Sequence, residues 1–332
     1  MGEIIVVTGG AGYVGGRLVP RLLREGYSVR VVDNLTYGRD GLARWSDHPA
    51  LTIHRADIRD TDAMRTAMCG ASAVIHLAAI ANDPSAELDP QITVEVNYEA
   101  SVQLAAIAAR AHVRRFVYAS SASVYGIVRG RPSQEDDEKH PVSVYGETKL
   151  QAESAILNMS SSSCTTTSLR CATLCGYSPR QRLDLTMNIL TYDAWRLSEI
   201  TVLGGAQIRP QLHVDDAARA YIALLTAPAT AVAGLPFNLC RLNLSVADAA
   251  EVVRRTLPWP ISVCVQPTND PRSYALAASR IRRAIGFKPR YPIAAAVLEL
   301  AQALLRGEIP DPESPIHRNV AWLREMVEAV PA

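Results

Sequence analysis

IIVVTGGAGYVGGRLVPRLLREG, residues 4–26, decides the fold. It opens on a β-branched apolar run that reads as a buried strand, and from Val14 to Glu25 it turns amphipathic with helical periodicity. Between the two, Gly9, Gly12 and Gly15 stand in G-x-x-G-x-x-G spacing. Glycines there allow a tight turn and let the backbone approach a pyrophosphate, whose charge rests on the amide-rich start of the helix. Many tight turns carry such a triplet; the strand before it and the helix after it give this one its meaning. Tyr13 and Val14, inside the turn, join the glycines as expected cofactor contacts.

The same alternation continues outward. SVRVVD (28–33), LTIHRAD (51–57), AVIHLA (73–78) and RFVYASS (115–121) read as further buried strands. Helical segments are expected at Val14–Glu25, Thr61–Cys69 and Val96–Ala111, with another from Val144 to about Met159. This predicts an α/β protein, a Rossmann-type doubly wound parallel sheet with helices on both faces. The second half is less regular and rich in Pro. It is expected to form a smaller substrate-binding lobe over 176–332 beside a dinucleotide-binding domain over 1–175, with some segments returning to the main sheet.

Asp33 ends the second strand. A carboxylate there accepts hydrogen bonds from an adenosine ribose and repels a 2′-phosphate, and the following Asn34 and Leu35 offer that phosphate no cation. NAD is therefore the expected cofactor. A formal net charge of +1 argues against nucleic acid as a partner. The six cysteines form no C-x-x-C pair and no zinc-like spacing, so no metal is expected. There is no signal-peptide pattern and no apolar run of membrane-spanning length, so the expectation is a cytoplasmic protein without a membrane partner.

Ser-Val-Tyr-Gly occurs twice, at 123–126 and 143–146, and each Tyr has a basic residue four positions on: Arg129 after Tyr125, Lys149 after Tyr145. Only the second copy lies on an expected helix, where a spacing of four puts both side chains on one face. An ammonium there favours phenolate and lowers the Tyr pKa, making Tyr145 a candidate base and Lys149 its partner. Ser121, ending a strand, can hydrogen-bond a substrate oxygen as it becomes a carbonyl. Tyr125 lies past a strand and is expected to pack or to touch substrate. His76, after an apolar run, reads as a structural hydrogen-bonder.

Taken together, TGGAGYVG, DNLTYG, ADIRD, HLAA, VNYEA, SSASVYG and YGETK resemble the extended short-chain dehydrogenase/reductase family, and within it the nucleotide-sugar epimerases, dehydratases and reductases. The resemblance implies that Ser121, Tyr145 and Lys149 are catalytic, Tyr145 and Lys149 also facing the cofactor. It implies that Asp57 and Ile58 border the adenine, that Ala78 and Ala79 line the cofactor, and that Asn97 steadies the cofactor site. Arg209 and Arg272 would approach a nucleotide diphosphate, an anion suited to the planar guanidinium fork. Ser123, Thr173 and, more loosely, Asn188 would touch substrate. A homodimer through helices near 97–110 and 145–159 is expected on the same ground.

Dehydratases of that group usually carry Asp-Glu after the active Thr; here Ser121-Ala122-Ser123 supplies no carboxylate, which resembles the 4-epimerase pattern. The leading expectation is an NAD-dependent nucleotide-sugar 4-epimerase. The alternatives are a nucleotide-sugar dehydrogenase or keto-reductase with net redox change, and a catalytically inactive dinucleotide sensor. The stretch SPRQRLDL, with Arg180, Arg182 and Asp184, departs from the usual epimerase wording and leaves the sugar open.

Overall fold

The computed structural model describes residues 2–127, 130–270 and 272–328; Arg129 lies outside them. Twelve strands are present among the described residues. Six come first: β1 (Ile4–Thr8), β2 (Ser28–Asp33), β3 (Leu51–Arg55), β4 (Ala73–His76), β5 (Arg115–Ser121) and β6 (Thr165–Cys171). They are followed by β7 (Thr173–Cys175), β8 (Glu199–Leu203), β9 (Ile208–His213), β10 (Leu235–Leu239), β11 (Leu242–Ser245) and β12 (Ser262–Gln266).

The main sheet runs β10-β6-β5-β4-β1-β2-β3, every pair parallel. Alternation along its strands explains why both faces are covered. Ile5 and Val7 of β1, Ile75 of β4 and Val117 of β5 enter one apolar cluster. Val6, Val74, Phe116 and Tyr118, one residue out of phase, enter the other. A parallel sheet must bury both faces because its crossovers lay helices on both. Each such side chain contributes about 1.5–3 kcal/mol.

Strand order reverses at β1, where β2 leads one way and β4 the other. The crevice at the carboxyl ends of these strands is where α/β sheets bind ligands. Gly9, Ala78 and Ser121 follow or end β1, β4 and β5, so the sheet gathers them at one edge.

The second half both returns to this sheet and builds beside it. β10 pairs with β6, while β7, β9 and β11 form a three-stranded sheet and β8 with β12 a parallel pair. The helices Thr186–Leu197, Val246–Thr256 and Ile293–Leu305 pack on them around a separate core that includes Met187, Val202, Val253 and Val297. The continuous helix expected over Val96–Ala111 is instead a helix at Pro90–Val94, a π-helical turn over Glu95–Ala100, and a helix at Ser101–Arg110.

His76 is a structural hydrogen-bonder. Its Nδ1 pairs with the Thr8 hydroxyl at 2.6 Å and its Nε2 with that of Ser101 at 2.8 Å. Burial pushes its pKa down to about 3, with Lys149 adding in the same direction. An unfolded His titrates near 6.5. Between those values the unfolded chain holds a proton that the folded one does not, so this residue makes stability rise with pH from about 3 to about 6.5. Urea unfolding between pH 4 and 7 is expected to show a shallower pH slope in His76→Gln than in the parent; equal slopes would refute the assignment.

Candidate active site

The Gly-rich turn is shaped by close approach. Gly9 sits at φ +68°, and a Cβ there would fall 2.6 Å from the Ala78 amide nitrogen. Gly15 presses the following helix onto the turn itself: its Cβ would lie 2.2 Å from the Gly10 carbonyl oxygen. Gly15 thus shapes the turn from behind, whereas Gly9, Gly12, Tyr13 and Val14 line a cavity of about 830 Å³. Asp33 ties the turn to β2, its carboxylate accepting from the amides of Ala11 at 3.0 Å and Leu35 at 2.8 Å. Burial pushes the Asp33 carboxyl up, and those two amides pull it back. A cradle that admits no Cβ, with a carboxylate at its far side, fits a dinucleotide.

The cavity wall continues through Asn34, Asp57, Ile58, Ala78 and Ala79. Asp57 is held by Arg59, and Asn34 caps its own loop by accepting from Thr36. Asn97 does not reach the cavity. It is fully buried and clamps Ile80, accepting from its amide at 2.8 Å and donating to its carbonyl at 2.9 Å, so it positions the wall without forming it.

The two Ser-Val-Tyr-Gly copies do different work. Ser143, starting the second copy, caps the Val144–Asn158 helix: its hydroxyl accepts from the Gly146 amide at 3.1 Å and donates to Asp83. Tyr145 is therefore fixed in the first turn and Lys149 one turn on, both lining the cavity with Ser121 and Ser123. Ser121 caps the short 3₁₀ turn after β5 and donates to the Ser123 hydroxyl at 3.2 Å. Tyr125 of the first copy is buried, donating to Asn238 at 2.8 Å and accepting from Arg170 at 2.6 Å. It is a core hydrogen-bonder.

The expected influence of Lys149 on Tyr145 is corrected. The ammonium donates to the Ala119 carbonyl at 3.0 Å and lies 4.9 Å from the centre of the Tyr118 ring. Burial pushes Lys149 down to about 7. Burial likewise pushes Tyr145 up to about 12, against the opposing effects of the Ser121 hydroxyl and, more weakly, Arg182. Helical spacing put both residues on one face, but the ammonium is taken up by the Ala119 carbonyl and the half-buried phenol is raised, not lowered.

On the substrate side, Thr173, Arg209 and Arg272 line the cavity. Both guanidiniums are already paired. Asp270 bridges Arg209 at 3.0 Å and Arg272 at 2.7 Å, and Arg272 also reaches Asp83 at 3.0 Å. Asn188 is buried away from the cavity, bonded to the Gly176 amide, the Arg182 carbonyl and the Tyr13 hydroxyl. Arg180, Arg182 and Asp184, given no role by sequence reasoning, all line the cavity, and Asn319, near the end of the chain, joins them. The unusual wording SPRQRLDL was the available signal for the first three; Asn319 had none. No group of three or more metal-ligating side chains occurs among the described residues, and no helix there is long and apolar enough to cross a membrane.

A dinucleotide cleft at the strand-order reversal, with Ser, Tyr and Lys converging at one end, defines a short-chain dehydrogenase/reductase of the extended type. The comparisons narrow this. A sequence model of the NAD dependent epimerase/dehydratase family matches residues 5–240, and the chain belongs to that family. It is 30% identical over 319 residues to a UDP-glucose 4-epimerase of Halalkalibacterium halodurans, covering 90% of this chain and 94% of that one. It is also 30% identical over 305 residues to a dTDP-glucose 4,6-dehydratase of Streptomyces griseus, covering 87% and 90%. The solved structure of MoeE5 with UDP-glucuronic acid and NAD superposes with a TM-score of 0.79 at 26% identity, covering 92% of this chain and all of that one.

Proposed function

We propose that this chain is an NAD-dependent nucleotide-sugar 4-epimerase, acting by transient oxidation at C4 and return of hydride to the opposite face. The observation that carries the reading is the state of the carboxylates near Tyr145. Elimination of water needs an acid able to give up a proton. Two of the carboxylates that line the cavity with Tyr145, Asp83 and Asp184, are held in ion pairs with Arg272 at 3.0 Å and Arg182 at 2.9 Å. Burial works against ionisation of Asp184, but Arg182 and the Asn319 amide hold its carboxyl below the usual range. Beside them stand the Ser121 and Ser123 hydroxyls and the Tyr145 phenol, a set suited to moving one proton at a carbinol.

NAD, when bound, supplies the hydride acceptor and donor. Tyr145 takes the proton from the C4 hydroxyl and returns it, Ser121 holds that oxygen, and Ser123 contacts the sugar. Lys149, fixed by the Ala119 carbonyl, holds the ribose side of the cofactor. Arg209 and Arg272 bind the substrate diphosphate, which displaces Asp270 from them. Two copies are expected to associate through helices near 97–110 and 145–159.

The purified protein, given UDP-, dTDP-, GDP- and CDP-linked sugars without added NAD, is expected to invert C4 of one of them with no net NADH. Stoichiometric NADH would instead establish a dehydrogenase, and loss of water a dehydratase.

A further inference from the structure

Five arginines line the cavity, and their charges are not equally satisfied. Arg59, Arg182, Arg209 and Arg272 each pair with at least one carboxylate. Arg180 pairs with none among the described residues within the 4.0 Å limit of an ion pair. Yet it is only 6% exposed, and its Nε has no hydrogen-bond partner. A buried guanidinium with no carboxylate in ion-pair contact is costly, and one that Asp184 and Asp33 attract only from beyond that contact has room for a further anion. Burial, with Arg182 nearby, lowers its pKa to about 10, so it remains charged at neutral pH.

Its position identifies the anion. A Cβ on Gly41 would lie 3.2 Å from Arg180 Cβ and 2.5 Å from the Ala11 carbonyl oxygen, so the Arg180 stem borders the Gly-rich turn. The guanidinium stacks 3.9 Å from the centre of the Tyr37 ring, in the loop that follows Asp33. Asn319 fixes its outer edge, accepting from Nη2 at 2.7 Å. Asn319 is itself anchored: its amide nitrogen donates to Asp184 at 3.1 Å and its Nδ2 to the Ala81 carbonyl at 3.2 Å. Three turns of chain remote in sequence thus converge on one cation at the cofactor end of the cavity, away from the paired Arg209 and Arg272.

We propose that Arg180 is a cofactor-binding residue, the side-chain counter-charge to the diphosphate held at the Gly9–Gly12 turn, and that Asn319 is its positioning residue. The turn's amides offer hydrogen bonds but no full charge, so a guanidinium supplied from the second half of the chain completes the anion site. It also makes closure of that half over the cleft part of cofactor retention.

Nucleotide-free protein titrated with NAD, ADP-ribose and adenosine tests this. Arg180→Gln is expected to raise the Kd for NAD and for ADP-ribose by about 10- to 100-fold, a charge-assisted hydrogen bond's worth, and that for adenosine less than about twofold. Its nucleotide-free unfolding temperature should match or exceed the parent's, because an unpaired buried charge has been removed. Asn319→Ala should weaken the two diphosphates in the same pattern by a smaller factor. Unchanged NAD affinity overturns the assignment. So does a raised KM for the nucleotide sugar with NAD affinity intact, and so does an equal loss for adenosine with a lower unfolding temperature, which would mark Arg180 as a structural pin. Should Arg180→Gln fail to fold, Arg180→Met removes the charge from a side chain of similar reach; affinity for ADP-ribose equal to the parent's then overturns it.

Discussion

Tyr145→Phe is expected to lower kcat by about 10²- to 10⁴-fold, the span of a lost general acid–base, while NAD still binds. The substitution removes one oxygen from a side chain whose backbone is fixed by the Ser143 cap, so geometry is conserved and only proton transfer is lost. The nucleotide-free site holds this phenol up at about 12, chiefly through burial. Tyr125→Phe is the control in the sister sequence. It should leave kcat within a few-fold and lower stability by about 1–3 kcal/mol, because Arg170 and Asn238 lose a buried partner. A fall in kcat for Tyr125→Phe as large as that for Tyr145→Phe would remove the distinction between the two copies.

That distinction was legible because it is local. A spacing of four, a helix start and a preceding Ser are all within one turn of chain, as are the Gly9–Gly15 turn and the Asp33 strand end. Local spacing could not say where a long side chain ends. Lys149 shares a face with Tyr145, yet its ammonium goes to Ala119, 30 residues away. The arginines show the same limit. Arg209 and Arg272 were expected at a diphosphate by resemblance alone, and nothing local said that Asp270 and Asp83 hold them, since the Arg272–Asp83 contact spans 189 positions. Nor could sequence show that Arg180 meets Asn319 across 139 positions. Asn188 was assigned to a substrate contact for a related reason. A buried polar residue beside a site and one facing into it carry the same letters; only the direction of the side chain separates them.

The largest stability effect is expected one turn beyond Lys149. Glu153 and Arg170 form an ion pair at 2.5 Å with side chains 2% and 3% exposed. Glu153 also accepts from Ser168 at 2.8 Å, and Arg170 donates to the Tyr125 hydroxyl and, at 2.9 Å, to the Glu135 carbonyl. The pair therefore bolts the helix bearing Tyr145 to β6 and to the turn that follows Ser121. Glu153→Gln leaves a guanidinium buried without a counter-charge and should cost about 3–5 kcal/mol in denaturant unfolding. The apolar double substitution Glu153→Met with Arg170→Met removes both charges and should recover most of that loss, because desolvation nearly cancels the attraction within such a pair. A single-variant cost below about 1 kcal/mol, the range of exposed pairs, would mean that water reaches the site. If the double variant is stable but slow in turnover, the pair's role is to hold the Tyr145 helix in register with Ser121; if it is stable and as fast as the parent, packing alone sets that register.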